Sequence, residues 1–142
     1  MTTAAAARLR LATDTTPGLP KLPHIPEVWS DWDPLTPEQQ EENLLHVALW
    51  IVERDLPNFN MFLWHGEATH MEWWLYPHYT YESCGTVHCI AGFAQVMAGA
   101  KAFNLDPGKV GVLLLGPEAG YHFNDTNSEG LAFLKTVIAR NS

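Results

Sequence analysis

Residues 36–57 read TPEQQEENLLHVALWIVERDLP, and this stretch decides the fold class. Thr36 is placed to cap a helix, Pro37 suits the first helical position, and Gln39 stands where a capping box needs it. Glu38, Glu41 and Glu42 favour the positive end of the helix dipole. Leu45, Ala48, Leu49, Val52 and Leu56 then recur at helical spacing until Pro57 stops the run. Val47, Trp50 and Ile51 widen the apolar surface, so this helix is expected at the centre of the core.

Working outward, three more helices are expected. One begins at Thr86 or Val87 and runs to Ala100, with Val87, Ile90, Ala91, Ala94 and Met97 on one face. Its Ala and Gly residues make it thin enough for close neighbours. Asp106-Pro107 opens another that runs through Leu115 and ends at Gly116-Pro117. The last spans about Ser128 to Arg140, with Leu131, Leu134, Val137 and Ile138 facing inward. Residues 58–83 carry Phe59, Phe62, Trp64, Trp73, Trp74, Tyr76, Tyr79 and Tyr81 without a clean period. They read as an irregular aromatic loop with room for short strands. Residues 1–34 contain Pro17, Pro20, Pro23, Pro26 and Pro34 and read as an extended, Pro-rich arm. Val28, Trp29 and Trp32 are expected to dock this arm on the body. The expected fold is therefore mainly α: a small single-domain bundle of about four helices over 35–142, preceded by the arm.

Composition excludes several functions. Eight Lys and Arg stand against sixteen Asp and Glu, for a net charge of −8, with no basic cluster to neutralise phosphates. Nucleic acid is therefore not an expected partner. No apolar run approaches the ~20 residues that span a bilayer, so membrane is not expected either. Two cysteines are too few for a secreted disulfide scaffold. Met1 to Thr13, rich in Ala and Thr, lacks the apolar core of a secretory signal and is expected to be disordered. A cytoplasmic setting follows as the default.

The chemistry-bearing residues crowd into one region. Both cysteines lie in Ser83-Cys84-Gly85-Thr86-Val87-His88-Cys89, and His65, His70, His78 and His88 precede or join them. If the helix starts at Cys84 or Gly85, Cys84 and His88 face each other across one turn, and the helix end stabilises a thiolate. His122, with Asn124 or Asp125 behind it, is the candidate base, which makes Cys84, His88 and His122 the candidate catalytic set. No cofactor is expected; the alternative is a zinc site drawing on Cys84, Cys89, His88 and His78, with His65 and His70 nearby. The plainer reading packs both cysteines in the core, with Thr86 as the helix cap. Trp64, Trp73, Trp74 and Tyr76 are candidates for a binding face.

Phe59-Asn60-Met61-Phe62-Leu63-Trp64, followed by Cys84-Gly85-Thr86-Val87-His88-Cys89-Ile90-Ala91-Gly92-Phe93-Ala94, resembles a pattern in small proteins of tailed phages and bacteria. That pattern runs roughly F-[DN]-M-x-x-W, a variable spacer, then C-G-T-x-x-C-x-A-G-[WF]-A. Leu113-Leu114-Leu115-Gly116 with Phe123 resembles the family's later LLG…F stretch more loosely. The family has no established activity, so the resemblance implies a phage or prophage context rather than a reaction. His65, His70 and His78 fall in the spacer and would be particular to this chain. The expected function is an accessory protein that binds a macromolecular partner, a host or virion protein, without catalysis. The alternatives are the zinc-stabilised module, the thiol enzyme, and a virion component, in the last case with the arm docking on a neighbouring subunit.

Overall fold

The central helix forms as its sequence dictates. The computed structural model describes residues 3–29, 35–61, 65–67, 86–99, 102 and 105–142. Six α-helices lie among them: α1 (Ala4–Thr13), α2 (Pro37–Arg54), α3 (Ile90–Met97), α4 (Pro107–Leu115), α5 (Pro117–Gly120) and α6 (Asn127–Arg140). In α2, Thr36 and Gln39 form the reciprocal capping box, and the helix stops three residues before Pro57. A single 3₁₀ turn, Leu56–Asn58, follows. Leu44, Leu45, Val47, Ala48, Leu49 and Ile51 are all buried, because α2 is covered by α1, α3, α4 and α6. The domain is small, single and mainly α, with two helices more than expected.

The first of the extra helices corrects the reading of the arm. Residues 4–13 are helical, not extended or disordered: Thr3 Oγ1 accepts from the Ala6 N–H, and Ala4, Ala7 and Leu11 are buried against α2. The spacing of these three residues is helical, but alanines carry so little apolar surface that tertiary contact, not periodicity, fixes the helix. Residues 14–29 continue as a strap across the body. The Leu22 N–H donates to the Met97 carbonyl, the His24 N–H to Asn43 Oδ1, and Trp29 packs on the core, while Val28 stays exposed. Trp32 lies outside the described residues.

The second correction concerns the start of α3. Thr86–His88 is not helical; it is strand β2, paired antiparallel with β1 (His65–Glu67) in the register His65 to His88, Gly66 to Val87 and Glu67 to Thr86. The Asn60 N–H also donates to the His88 carbonyl. The helix begins at Ile90, and its cap is Cys89 rather than Thr86. Every residue of α3 is buried, and α4 lies across it. The close approach depends on Gly111 of α4, where a Cβ would come within 2.7 Å of Phe123 and 2.9 Å of Ala91. Gly116, at φ +94°, ends α4 in a conformation that favours glycine.

α6 has an Asn127 start and a second capping box, between Thr126 and Glu129. Its buried face is Gly130, Phe133, Leu134 and Val137, with Leu131 and Ile138 half-buried beside it. Arg140, at its end, pairs with Glu41 at 2.6 Å and Glu118 at 2.7 Å, and so ties α6 to α2 and α5. Among the described residues, no helix is long and apolar enough to cross a membrane.

Candidate functional site

The strand-to-helix junction at 86–90 reorganises the Cys/His set. His88 lies in a strand and Cys89 at the cap, so the helix starts at Ile90 rather than at residue 84 or 85. Cys84 itself lies outside the described residues, as do His78, His70, Trp64, Trp73, Trp74 and Tyr76. Cys89 Sγ accepts from the Gly92 N–H at 3.4 Å, an unusual duty for a sulfur, which is a weak acceptor. The thiol is 2% exposed, and burial pushes it up to about 11 against the pull of the helix amides. Cys89 is therefore a neutral thiol at neutral pH and serves the fold. His88 is buried and meets the Phe93 ring edge-on at 5.1 Å.

Backbone pairing does bring two histidines of the set together, since His65 stands opposite His88 in the β1–β2 register. Among the described residues, however, no three His, Cys, Asp or Glu side chains gather closely enough to hold a metal ion.

His122 sits elsewhere, after α5. Its Nδ1 lies 2.7 Å from Asp125 Oδ2, and its ring stacks on Phe133 with centroids 3.9 Å apart. The expected pairing with an orienting acid is thus present, and Asp125 rather than Asn124 supplies it. Glu118, Glu129, Thr136 and Arg140 join this pair around an open groove of about 460 Å³. The arrangement fixes the imidazole through its hydrogen bond to Asp125.

A second groove, of about 500 Å³, runs between the strap and the end of α3. Leu19, Lys21 and Ile25 line it on one side and Val96, Met97 and Ala98 on the other. Ile25 and, three residues on, Val28 are exposed, the latter at 71%.

The buried polar residues of α2 and α3 are absent from the sequence-based candidates. Gln40 Nε2 donates to the Leu113 carbonyl, and Asn43 Nδ2 donates to the carbonyls of His24 and Leu114. Gln95 Nε2 donates to Ala102 and Leu105. His46 is 1% exposed, and neither ring nitrogen has a hydrogen-bond partner among the described residues. The signal for all four is the same: a polar residue inside an otherwise apolar helical stripe.

No protein-family model, curated protein sequence or solved structure matches this chain.

Proposed function

We propose that the protein is a small accessory protein of phage or prophage type that acts by binding a macromolecular partner, in the host cytoplasm or on the virion. The observation that carries the binding reading is the groove between the strap and α3, where Ile25 lies exposed on the rim, with Val28 exposed three residues further along the strap. Neighbouring exposed aliphatics on a strap tied down by main-chain hydrogen bonds make a preorganised contact surface. The net charge of −8 favours a partner with a basic surface. The phage setting rests on the resemblance of the 59–64 and 84–94 segments. Trp64, Trp73, Trp74 and Tyr76 belong to the proposal as a second contact region.

The test immobilises the full chain and the Ile25→Glu/Val28→Glu variant, and challenges both with host lysate and with virion extract. The expected result is a protein held by the wild type and bound at least about tenfold more weakly by the variant, as the central aliphatics of an interface require. A partner bound equally by both removes the groove from the proposal. Absence of any protein above an equally acidic control removes the binding reading itself.

A further inference from the structure

Glu42, His46, Leu49 and Glu53 follow one another at steps of four, three and four along α2, so they form one stripe. The strap and α1 cover it. His24 Nε2 of the strap meets Glu42 Oε2 at 3.1 Å, Leu49 lines a small cleft with Arg8 and Leu11 of α1, and Arg8 grips Glu53 with two nitrogens at 2.9–3.1 Å. His46 lies in the middle of the covered stripe.

The surroundings of His46 are hostile to a proton. Burial is the largest influence and holds the imidazole down at about 4. Arg10, from α1, and His24, from the strap, oppose a further positive charge. The Glu42 main-chain carbonyl and carboxylate, on the same helix, favour it, less than Arg10 opposes it and more than His24 does. The cover itself is thin. The buried residues of α1 are two alanines and one leucine, and the strap adds Leu22, half-buried Leu19 and Trp29, one main-chain bond to Met97 and two bonds between the His24 main chain and Asn43. Such a cover buries little apolar area, so one buried charge beneath it is a large perturbation.

We infer that His46 is an acid-sensitive latch: its protonation releases residues 3–29 from α2 and uncovers the stripe, while the α2–α4–α6 body stays folded. The released state lets water reach the imidazole, which is what protonation demands. α6 and α4 cover other faces of α2 and carry no group that faces His46 in this balance.

Hydrogen exchange of the full chain at pH 7.5 and 5.0, corrected for the intrinsic pH dependence of exchange, tests the latch. Protection of the α1 amides should fall about thirtyfold between these values, the factor set by an imidazole moving from about 4 covered to 6.5 in water. Protection of the α6 amides should change by less than about threefold. In His46→Leu and His46→Gln the fall in α1 should disappear. Unchanged α1 protection in the wild type overturns the inference, as does an equal fall in α1 and α6, or a fall retained in either folded variant. Titration of the His46 ring by NMR in the wild type tests the latch without any variant. Its midpoint must coincide with that of the α1 fall, and a separate midpoint overturns the latch.

Discussion

Asn43 and His46 lie one turn apart on α2, both almost fully buried, and their situations are opposite. Asn43 is saturated: it donates to the carbonyls of His24 and Leu114 at 2.9 and 3.0 Å and accepts from the His24 N–H at 3.0 Å. Neither ring nitrogen of His46 has a well-formed hydrogen bond among the described residues, and the Glu42 main-chain carbonyl on its own helix is only a weak influence. Two of the three Asn43 bonds hold the strap at His24 and the third reaches α4, where Gln40 adds another to the Leu113 carbonyl. The seam between α2 and α1 is held by small apolar groups in the middle and by the exposed Arg8–Glu53 pair at one edge. Directional bonds fix one arrangement, whereas thin apolar cover leaves room for a second. The α1 seam thus differs in kind from the α4 seam, and the strap, bonded to Asn43 at His24, sides with the latter.

The severest way to break this difference is to strip the saturated side. Asn43→Leu keeps the volume close but orphans the Leu114 carbonyl, the His24 carbonyl and the His24 N–H. The expected loss is about 4 kcal/mol, since each buried group left without a partner costs about 1–3 kcal/mol. Urea unfolding measures it as a lower midpoint at unchanged slope. A loss below about 1 kcal/mol would show that the Asn43 bonds to the strap and to α4 add little to the apolar contact.

Acid attacks the other side. The folded His46 imidazole sits at about 4, below the ordinary 6.5, so on acidification the unfolded chain takes up the proton first. The stability owed to neutral His46 is complete above pH 6.5, falls as pH drops from 6.5 to 4, and levels off below 4. The expected loss across that window is about 3 kcal/mol, and Gln at position 46 should flatten the profile. Urea midpoints collected at half-unit pH steps give the curve. A wild-type profile that stays level from 6.5 to 4 would put His46 in contact with water.

How much of this was legible depends on where the signal is stored. α2 and α4 are legible because their caps are side-chain oxygens just before a proline, Thr36 and Asp106, and α6 because Leu131, Leu134, Val137 and Ile138 recur at helical spacing. α1 is not, because its buried positions are mostly alanines, whose periodicity carries little energy until α2 is present. The junction at 86–90 misleads because a cysteine is not among the usual caps, and β-branched Thr86 and Val87 fit a strand as well as a helix. For the candidate site, the His122–Asp125 pair is visible as a short spacing, while the burial of Cys89 is a tertiary fact. The status of His46 is readable only as a polar interruption in an apolar stripe, and that reading gives no hint that its partners are missing.

The smallest effect sharpens the contrast at its edge. Arg8 and Glu53 are both substantially exposed, at 47% and 38% of their side chains, so their paired geometry is screened by water and salt. Arg8→Ala should lower the melting temperature by only about 1–2 °C at low salt, and by nothing measurable above ~0.5 M, where the Debye length falls to a few ångströms. Differential scanning calorimetry at the two salt concentrations reads the difference directly. A larger, salt-insensitive drop would mean that the Arg8 stem, packed beside Leu11 and Leu49, holds the cover through apolar contact rather than charge. In that case the edge of the α1–α2 seam is as apolar as its middle, and charge at the rim plays no part in keeping the cover closed at neutral pH.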